Sequence, residues 1–121
     1  MFKISSVHFN AFSEERVKSF ISRMVDRLRH SFPKEIAEQK IQERDLFRLV
    51  QQGIKTAESY GVFGEMDVEL FIDCLVLLSP RFDTDPEFTW AGDSLRRQDI
   101  DGTAKMDLIH NWLVFFSDKA R

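Results

Sequence analysis

The chain has 121 residues, of which 43% are hydrophobic and 31% are charged, and its formal net charge is −3. This length and balance predict one soluble globular domain spanning residues 1–121. The small negative charge gives no general attraction to nucleic acid or to an anionic membrane, so we expect neither as a partner.

Charge is divided unevenly along the chain. Residues 1–60 carry 11 basic and 8 acidic side chains, whereas residues 61–121 carry 6 basic and 12 acidic side chains. Either the basic half or the acidic half could bind a partner, although the simpler explanation of the uneven charge is that both form ordinary solvated faces.

Cysteine content and the N-terminal residues indicate a cytoplasmic protein. Cys74 is the only cysteine, so an internal disulfide is excluded and a reducing compartment is expected. The first residues lack the long apolar run of a signal peptide. The longest apolar stretch, residues 74–78, is too short to cross a bilayer, and we expect no membrane insertion.

The N-terminal third predicts an arm followed by an amphipathic helix. Residues 1–12 alternate weakly between bulky and polar positions, which indicates a short strand or a short extended arm. Ser13 is a suitable N-cap for the helix, whose apolar residues recur every three or four positions. Pro33 should end this helix, because the residue before a proline avoids the helical region.

A second amphipathic helix is predicted after a polar connection. Residues 34–40 indicate a loop or a short turn of helix. Gly53 lies within the second helix on its apolar face, and a glycine there indicates a close helix crossing. Gly61 suits the left-handed position that often follows a helix.

The most apolar helix is predicted at residues 65–78. Its bulky residues leave little polar surface, which is typical of a central helix. Cys74 within it is expected to be a small buried residue. We therefore predict an all-α fold, a compact bundle of about five helices packed around residues 65–78.

The remaining chain predicts a corner and two further helices. Pro80 should end the central helix. Asp85 can cap a fourth helix in which Pro86 takes the first position. After a loop at residues 98–102, Thr103 can cap a fifth helix.

Two acidic strings resemble functional motifs without their required context. Residues 99–103 read D-I-D-G-T, as in haloacid-dehalogenase-type phosphatases, yet polar residues precede them instead of a buried strand. Asp83, Asp85 and Glu87 have the spacing of calcium ligands, but a hand-type loop lacks its glycine at the sixth position. Turn and capping roles explain these acids.

No catalytic, metal-binding or cofactor-binding set is apparent. The three histidines are scattered, none forms a short ligand pair with Cys74, and no glycine-rich phosphate loop is present. We predict a non-enzymatic protein with no cofactor. The rival interpretation is a small metal-dependent enzyme that uses Asp83, Asp85, Asp99 or Asp101.

Aromatic residues near helix ends and corners exceed what a small core needs. Aromatic side chains rimmed by charge are common anchors of protein–protein contacts. Two alternatives stay open: most of these rings belong to the core, or they are buried against a second copy in a homo-oligomer. The predicted partner-binding residues are Tyr60, Phe63, Phe82, Asp83, Asp85 and Trp90.

A spaced pattern over roughly residues 24–113 resembles a known group of proteins. The group comprises small helical accessory proteins found beside toxins and their adaptor chaperones in bacterial type VI secretion gene clusters. The resemblance is carried by Leu28-Arg29-His30, Phe32-Pro33, Tyr60-Gly61, Glu65, Asp67-Val68, Phe71-Ile72, Leu78-Ser79-Pro80, Phe82-Asp83, Asp85-Pro86 and Trp90-Ala91.

The resemblance implies a role and brings no catalytic residues with it. It implies a co-chaperone or adaptor in the bacterial cytoplasm that holds a secreted toxin effector or the toxin's chaperone. An alternative role in the same binding class is an immunity protein that inhibits a cognate toxin.

Overall fold

The computed structural model describes residues 14–119 as six α-helices and one 3₁₀ turn. The predicted all-α class is confirmed, with one helix more than the five expected. Residues 1–12 and the Ser13 cap lie outside the described residues. The elements are α1 (Glu14–Ser31), α2 (Pro33–Glu38), α3 (Glu43–Ser59), α4 (Glu65–Leu77), the 3₁₀ turn Pro86–Phe88, α5 (Thr89–Leu95) and α6 (Gly102–Lys119).

Helix α4 is the centre of the bundle, as its sequence predicts. It packs against α1, α2, α3 and α6. Burial of each large apolar side chain stabilises the fold by about 1.5–3 kcal/mol. Met66 is an exception among the apolar residues of α4, because its side chain is 82% exposed. The buried residues of α4 are Val68, Phe71, Ile72, Cys74, Leu75 and Val76.

The connection from α1 to α3 contains a short helix. Pro33 ends α1 as predicted, and it also occupies the first turn of α2, where its fixed φ fits and its missing N–H is not needed. Gln39 follows α2, and its side-chain amide donates to the carbonyl oxygen of Leu78 at 2.8 Å. This bond fastens the end of α2 to the end of α4.

Helix α3 ends in a Schellman motif. Gly61 has a φ of +79°, the left-handed conformation predicted for it. The N–H of Val62 donates to the carbonyl of Ala57 at 2.9 Å, and the N–H of Gly61 donates to Glu58 at 2.9 Å. The motif turns the chain sharply from α3 into α4.

The predicted helix crossing at Gly53 is confirmed. A Cβ at this position would lie 2.8 Å from Cδ1 of Leu75 and 3.1 Å from Cγ1 of Ile72, both on α4. The missing side chain therefore lets α3 and α4 approach closely.

The start of α6 differs from the prediction. Asp101, not Thr103, caps the helix, because its Oδ1 accepts the N–H of Ala104 at 2.9 Å. The helix begins at Gly102, one residue before Thr103. The Thr103 hydroxyl donates instead to Oδ2 of Asp67 on α4, at 2.7 Å.

Ion pairs join α1 to α4. Arg27 Nη2 lies 2.6 Å from Oδ1 of Asp73, and Arg23 Nη2 lies 2.6 Å from Oε1 of Glu65. Glu69 lies between these acids along α4, with Oε1 3.7 Å from Arg27 Nε. The basic face of α1 is thus matched by acids of α4.

None of the helices within residues 14–119 combines the length and the apolar character needed to cross a membrane.

Candidate functional site

Four aromatic side chains converge on one face of the molecule. We call Trp90 of α5 and Trp112, Phe115 and Phe116 of α6 the aromatic patch. The ring centroids of Trp112 and Phe116 are 5.4 Å apart with an interplanar angle of 24°, a stacked arrangement. Trp90 lies against both, at 5.9 Å from Trp112 and 5.4 Å from Phe116. These distances are typical of favourable ring pairs.

The patch is at the surface because α6 extends past the core. Met106 and Ile109, in the first half of α6, are almost fully buried. In the second half, Trp112 remains 40% exposed, Phe116 42% and Val114 47%. Large apolar side chains left this exposed on consecutive helical turns are unusual for a monomer surface and are typical of interaction sites.

Helical spacing explains how α6 presents these rings. Trp112 and Phe116 are four residues apart and therefore lie on the same face of the helix. Trp90 approaches them from α5, and the ring of Phe88 meets Trp90 edge-on at 6.4 Å. The 3₁₀ turn and α5 thus hold Trp90, which is half-buried, against the α6 rings.

The structure divides the predicted partner-binding residues among several places. Trp90 lies in the aromatic patch. Phe63, half-buried, lines a separate recess between the α3–α4 turn and the start of α6. Asp85 caps the 3₁₀ turn, where its Oδ1 accepts the N–H of Glu87 at 3.0 Å. The predicted cap is thus confirmed, although the helical turn it begins is 3₁₀ and α5 starts only at Thr89.

Phe82 is a core residue and not a surface anchor. Its side chain is completely buried, and its ring lies 5.0 Å from that of Phe71 on α4. The expectation that Phe82 contacts a partner is therefore corrected. The corner after α4 folds back over the bundle, and this buries the ring that the sequence alone placed near a helix end.

Tyr60 and Asp83 form one hydrogen-bonded pair. The Tyr60 hydroxyl donates to Oδ2 of Asp83 at 2.7 Å. Partial burial is the main cause that raises the pKa of Tyr60 to about 12, and the neighbouring Asp83 carboxylate adds to the rise. Arg96 reaches the same corner, and its Nη1 donates to the backbone carbonyl of Asp83 at 3.0 Å. These bonds fix the corner and leave the Tyr60 ring half-buried.

A groove runs between α3 and the corner at residues 79–84. We call it the α3 groove; its volume is about 650 Å³. Its apolar wall includes Ile41, Leu49 and Leu75, and its polar wall includes Lys40, Arg48 and Arg81. The groove shares no residue with the aromatic patch.

The acids considered for metal binding have structural partners. Asp83 and Asp85 accept the bonds described above, and Asp101 caps α6. Asp99 accepts from Nε and Nη2 of Arg97 at 2.9 and 2.6 Å. The Arg97 guanidinium holds the pKa of Asp99 below its usual value. Within residues 14–119, no three His, Cys, Asp or Glu side chains are grouped so that they could hold a metal ion.

Cys74 is buried in α4, as predicted. Burial, with a smaller contribution from Asp73, raises the pKa of its thiol well above the ordinary value. A buried thiol of this kind is largely protonated at neutral pH and is a poor nucleophile.

The sequence did not indicate Trp112 as a site residue. Its position four residues before Phe116 is a readable signal, because that spacing places both rings on one helical face. Periodicity alone also allows this face to be buried, and only the tertiary structure brings Trp90 to it.

Comparisons with protein-family models, with curated proteins and with solved structures returned no match.

Proposed function

We propose that this protein is a non-enzymatic protein-binding module whose contact surface is the aromatic patch. Its partner is a secreted bacterial toxin or the chaperone of that toxin, and its role is that of a co-chaperone or adaptor. The observation that carries the proposal is the cluster of Trp90, Trp112 and Phe116, of which the last two are about two-fifths exposed.

The chemistry of the patch favours protein contact. Tryptophan is prominent among residues that dominate binding energy, because a large rigid ring buries much area at little entropic cost. The stacked Trp112 and Phe116 rings are already ordered against Trp90, so a partner would meet a preorganised surface. Such a surface suits an apolar side chain or helix of the partner.

The class of partner rests on the resemblance carried by the residues around the corner. Several of these residues have clear structural roles here, including Gly61 in the Schellman motif and Asp85 in its cap. These structural roles explain the presence of such residues without a partner. The partner assignment therefore needs a direct binding test.

An immunity protein is the second candidate, and the acidic second half of the chain favours it. An acidic surface could block the basic active site of a toxin that acts on an anionic substrate such as nucleic acid. Many of these acids already have partners: Asp67 accepts from Thr103, Asp73 pairs with Arg27, and Asp99 pairs with Arg97. This internal use of the carboxylates places the immunity role second.

Co-expression and co-purification test the proposal. The tagged protein is co-expressed with the products of its neighbouring genes, and the captured complex is analysed by mass spectrometry. We expect the wild-type protein to retain one of them, and Trp112→Ala together with Phe116→Ala to abolish retention. Phe47→Ala is the matched control, because Phe47 is 45% exposed on α3, outside the patch.

Three outcomes would contradict the proposal. Equal loss of binding in the Phe47 control would show that the patch is not the contact surface. Rescue of cells from the toxin, without a rise in toxin level, would assign the immunity role instead. A stable dimer in light scattering that dissociates in the Trp112→Ala variant would assign the patch to self-association.

A further inference from the structure

We propose that the α3 groove is a second binding site, which takes an acidic peptide segment with apolar side chains between its carboxylates. The occupant is an extended segment of a partner protein. The inference does not depend on the aromatic patch.

Three cations at the groove have no partner within the described part of the chain. Lys40, Arg48 and Arg81 are all exposed, and their side chains make no ion pair or hydrogen bond with residues 14–119. By contrast, Arg23, Arg27, Arg29, Arg96 and Arg97 each contact a carboxylate. The cations left unpaired at this groove are therefore available to an external carboxylate.

Lys40 occupies a backbone position that favours glycine. Its φ is +57°, and within residues 14–119 it is the only non-glycine residue with a positive φ. It follows α2 in a Schellman motif, in which the N–H of Ile41 donates to the carbonyl of Ile36 at 3.0 Å. Lysine costs stability here relative to glycine. A charged side chain that the backbone geometry disfavours is consistent with a role for that charge at the groove.

The backbone next to Lys40 is tied to the bundle by the neighbouring Gln39. Gln39 donates to the carbonyls of Leu78 at 2.8 Å and Val76 at 3.4 Å, which holds the end of α2 beside the end of α4. The Tyr60–Asp83 bond holds the opposite corner. The groove is thus bounded by segments that are tied to the bundle.

The walls of the groove favour a peptide over a nucleic acid. Leu49 and Leu75 supply apolar contact area, and the groove has three cations against the two carboxylates of Asp45 and Asp83, of which Asp83 already accepts from Tyr60. A phosphate backbone presents no aliphatic side chain to these leucines, whereas a peptide can present both carboxylates and aliphatic side chains. A segment with both carboxylates and leucine-like side chains suits a groove lined by both cations and apolar residues.

Fluorescence anisotropy tests the site with defined probes. The main probe is a fluorescein-labelled peptide in which glutamate alternates with leucine. A second peptide replaces every glutamate by glutamine, and a third probe is a labelled oligothymidine of equal charge. We expect the glutamate peptide to bind and to weaken with added salt, and the glutamine peptide to bind at least about tenfold more weakly.

Variants then assign binding to the groove. Arg48→Gln and Arg81→Gln should each weaken the glutamate peptide by about tenfold. Arg44→Gln is the matched control, since Arg44 is exposed on α3 but does not line the groove. Lys40→Gly should weaken binding while raising the midpoint of thermal unfolding, which separates loss of the charge from loss of the fold.

Each opposite result overturns the proposal. If the glutamate peptide does not bind, the groove is not a site for acidic peptides. If the glutamate and glutamine peptides bind equally, binding does not depend on carboxylates. Tighter binding of the oligonucleotide assigns the groove to phosphate. An equal effect of Arg44→Gln and Arg48→Gln shows nonspecific attraction to the cations of α3.

Discussion

The hydroxyl of Tyr60 donates a 2.7 Å hydrogen bond to Oδ2 of Asp83, and this bond ties the end of α3 to the corner after α4. The two residues are 23 positions apart in the chain. Both are predicted partner-binding residues, and in the structure they are joined to each other. Their bond helps to hold the corner that separates the α3 groove from α5.

Loss of the Tyr60 hydroxyl should weaken the fold modestly. We expect Tyr60→Phe to lower the free energy of unfolding by about 1 kcal/mol at neutral pH, measured by urea denaturation. Asp83→Asn is a useful comparison, because an amide oxygen can still accept the bond. A larger loss in Asp83→Asn than in Tyr60→Phe would contradict this assignment.

The same bond predicts an alkaline dependence of stability. The pKa of Tyr60 in the folded protein is about 12, above the ordinary value near 10. Its contribution is therefore complete below the unfolded pKa and is lost as the pH rises through the folded pKa. Tyr60 is the only tyrosine, so its ultraviolet titration gives this pKa directly. A native midpoint equal to that in urea would contradict the prediction.

Arg27 should matter more than Arg23. Arg27→Met leaves Asp73, whose side chain is only 13% exposed, without its charge partner, and we expect a loss of about 1–3 kcal/mol at neutral pH. Arg23→Met breaks a more exposed pair and should cost less than about 1 kcal/mol. Urea denaturation of both variants measures the difference.

The Arg27→Met loss should shrink in acid. Burial raises the pKa of Asp73, while Arg27 opposes that rise. Without Arg27 the pKa rises further above its unfolded value. A carboxyl with a raised folded pKa contributes stability below the unfolded pKa and loses it as the pH rises through the folded pKa. If the loss of unfolding free energy in Arg27→Met stayed constant from neutral pH down to below the unfolded pKa of the carboxyl, Asp73 would not be the group responsible.

Two glycine substitutions should differ in their effect on stability. A Cβ at Gly102 would lie 2.9 Å from the backbone carbonyl carbon of Gly61 and 2.9 Å from Cα of Val62. Gly102→Ala should therefore cost about 2–3 kcal/mol, because the backbone must move. Gly53→Ala meets only side-chain atoms of α4, and its gain in helix propensity of about 1 kcal/mol offsets part of the clash. Equal losses in the two variants would show that backbone contact is not the deciding factor.

Replacement of Lys40 by glycine should stabilise the fold. Glycine adopts the positive φ of this position without strain, so we expect Lys40→Gly to raise the free energy of unfolding by about 0.5–1 kcal/mol. Lys55→Gly supplies the opposite control, because Lys55 is exposed within α3 and should lose about 1 kcal/mol. A destabilised Lys40→Gly variant would mean that the lysine side chain makes a net stabilising contribution.

Intrinsic fluorescence should report directly on the aromatic patch. The chain has two tryptophans, Trp90 and Trp112, and both lie in the patch. Binding of a partner there should shift the emission to shorter wavelength and protect it from iodide quenching. Binding at the α3 groove alone should leave the quenching unchanged. The same measurement on Trp112→Phe assigns the change to Trp90 or Trp112.

Most of the helical architecture follows from local chemistry. Spacing of apolar residues, proline positions and the left-handed Gly61 predict α1, α3 and α4 closely, because each signal acts within a few residues. The apolar character of residues 65–78 also predicts the central place of α4. The cap at Asp101 was missed because aspartate and threonine are both favourable N-cap residues and stand only two positions apart, although aspartate is the stronger of the two.

The candidate site was only partly predictable. Trp90 was recognised as a candidate, but its contact with Trp112 depends on how α5 packs against α6. Phe82 was also a candidate, but it is buried in the core. Nothing in its local sequence indicates that the corner folds over it. The α3 groove joins residues from three separate segments, and no local pattern connects them.

The ion pairs between α1 and α4 show that the uneven distribution of charge along the chain can assist folding. Arg23 and Arg27 come from the basic half, and Glu65, Glu69 and Asp73 come from the acidic half. The two halves therefore attract each other, and the turn at residues 60–64 is their boundary. Separately produced fragments, 1–61 and 62–121, should associate, with an affinity that falls as salt is added.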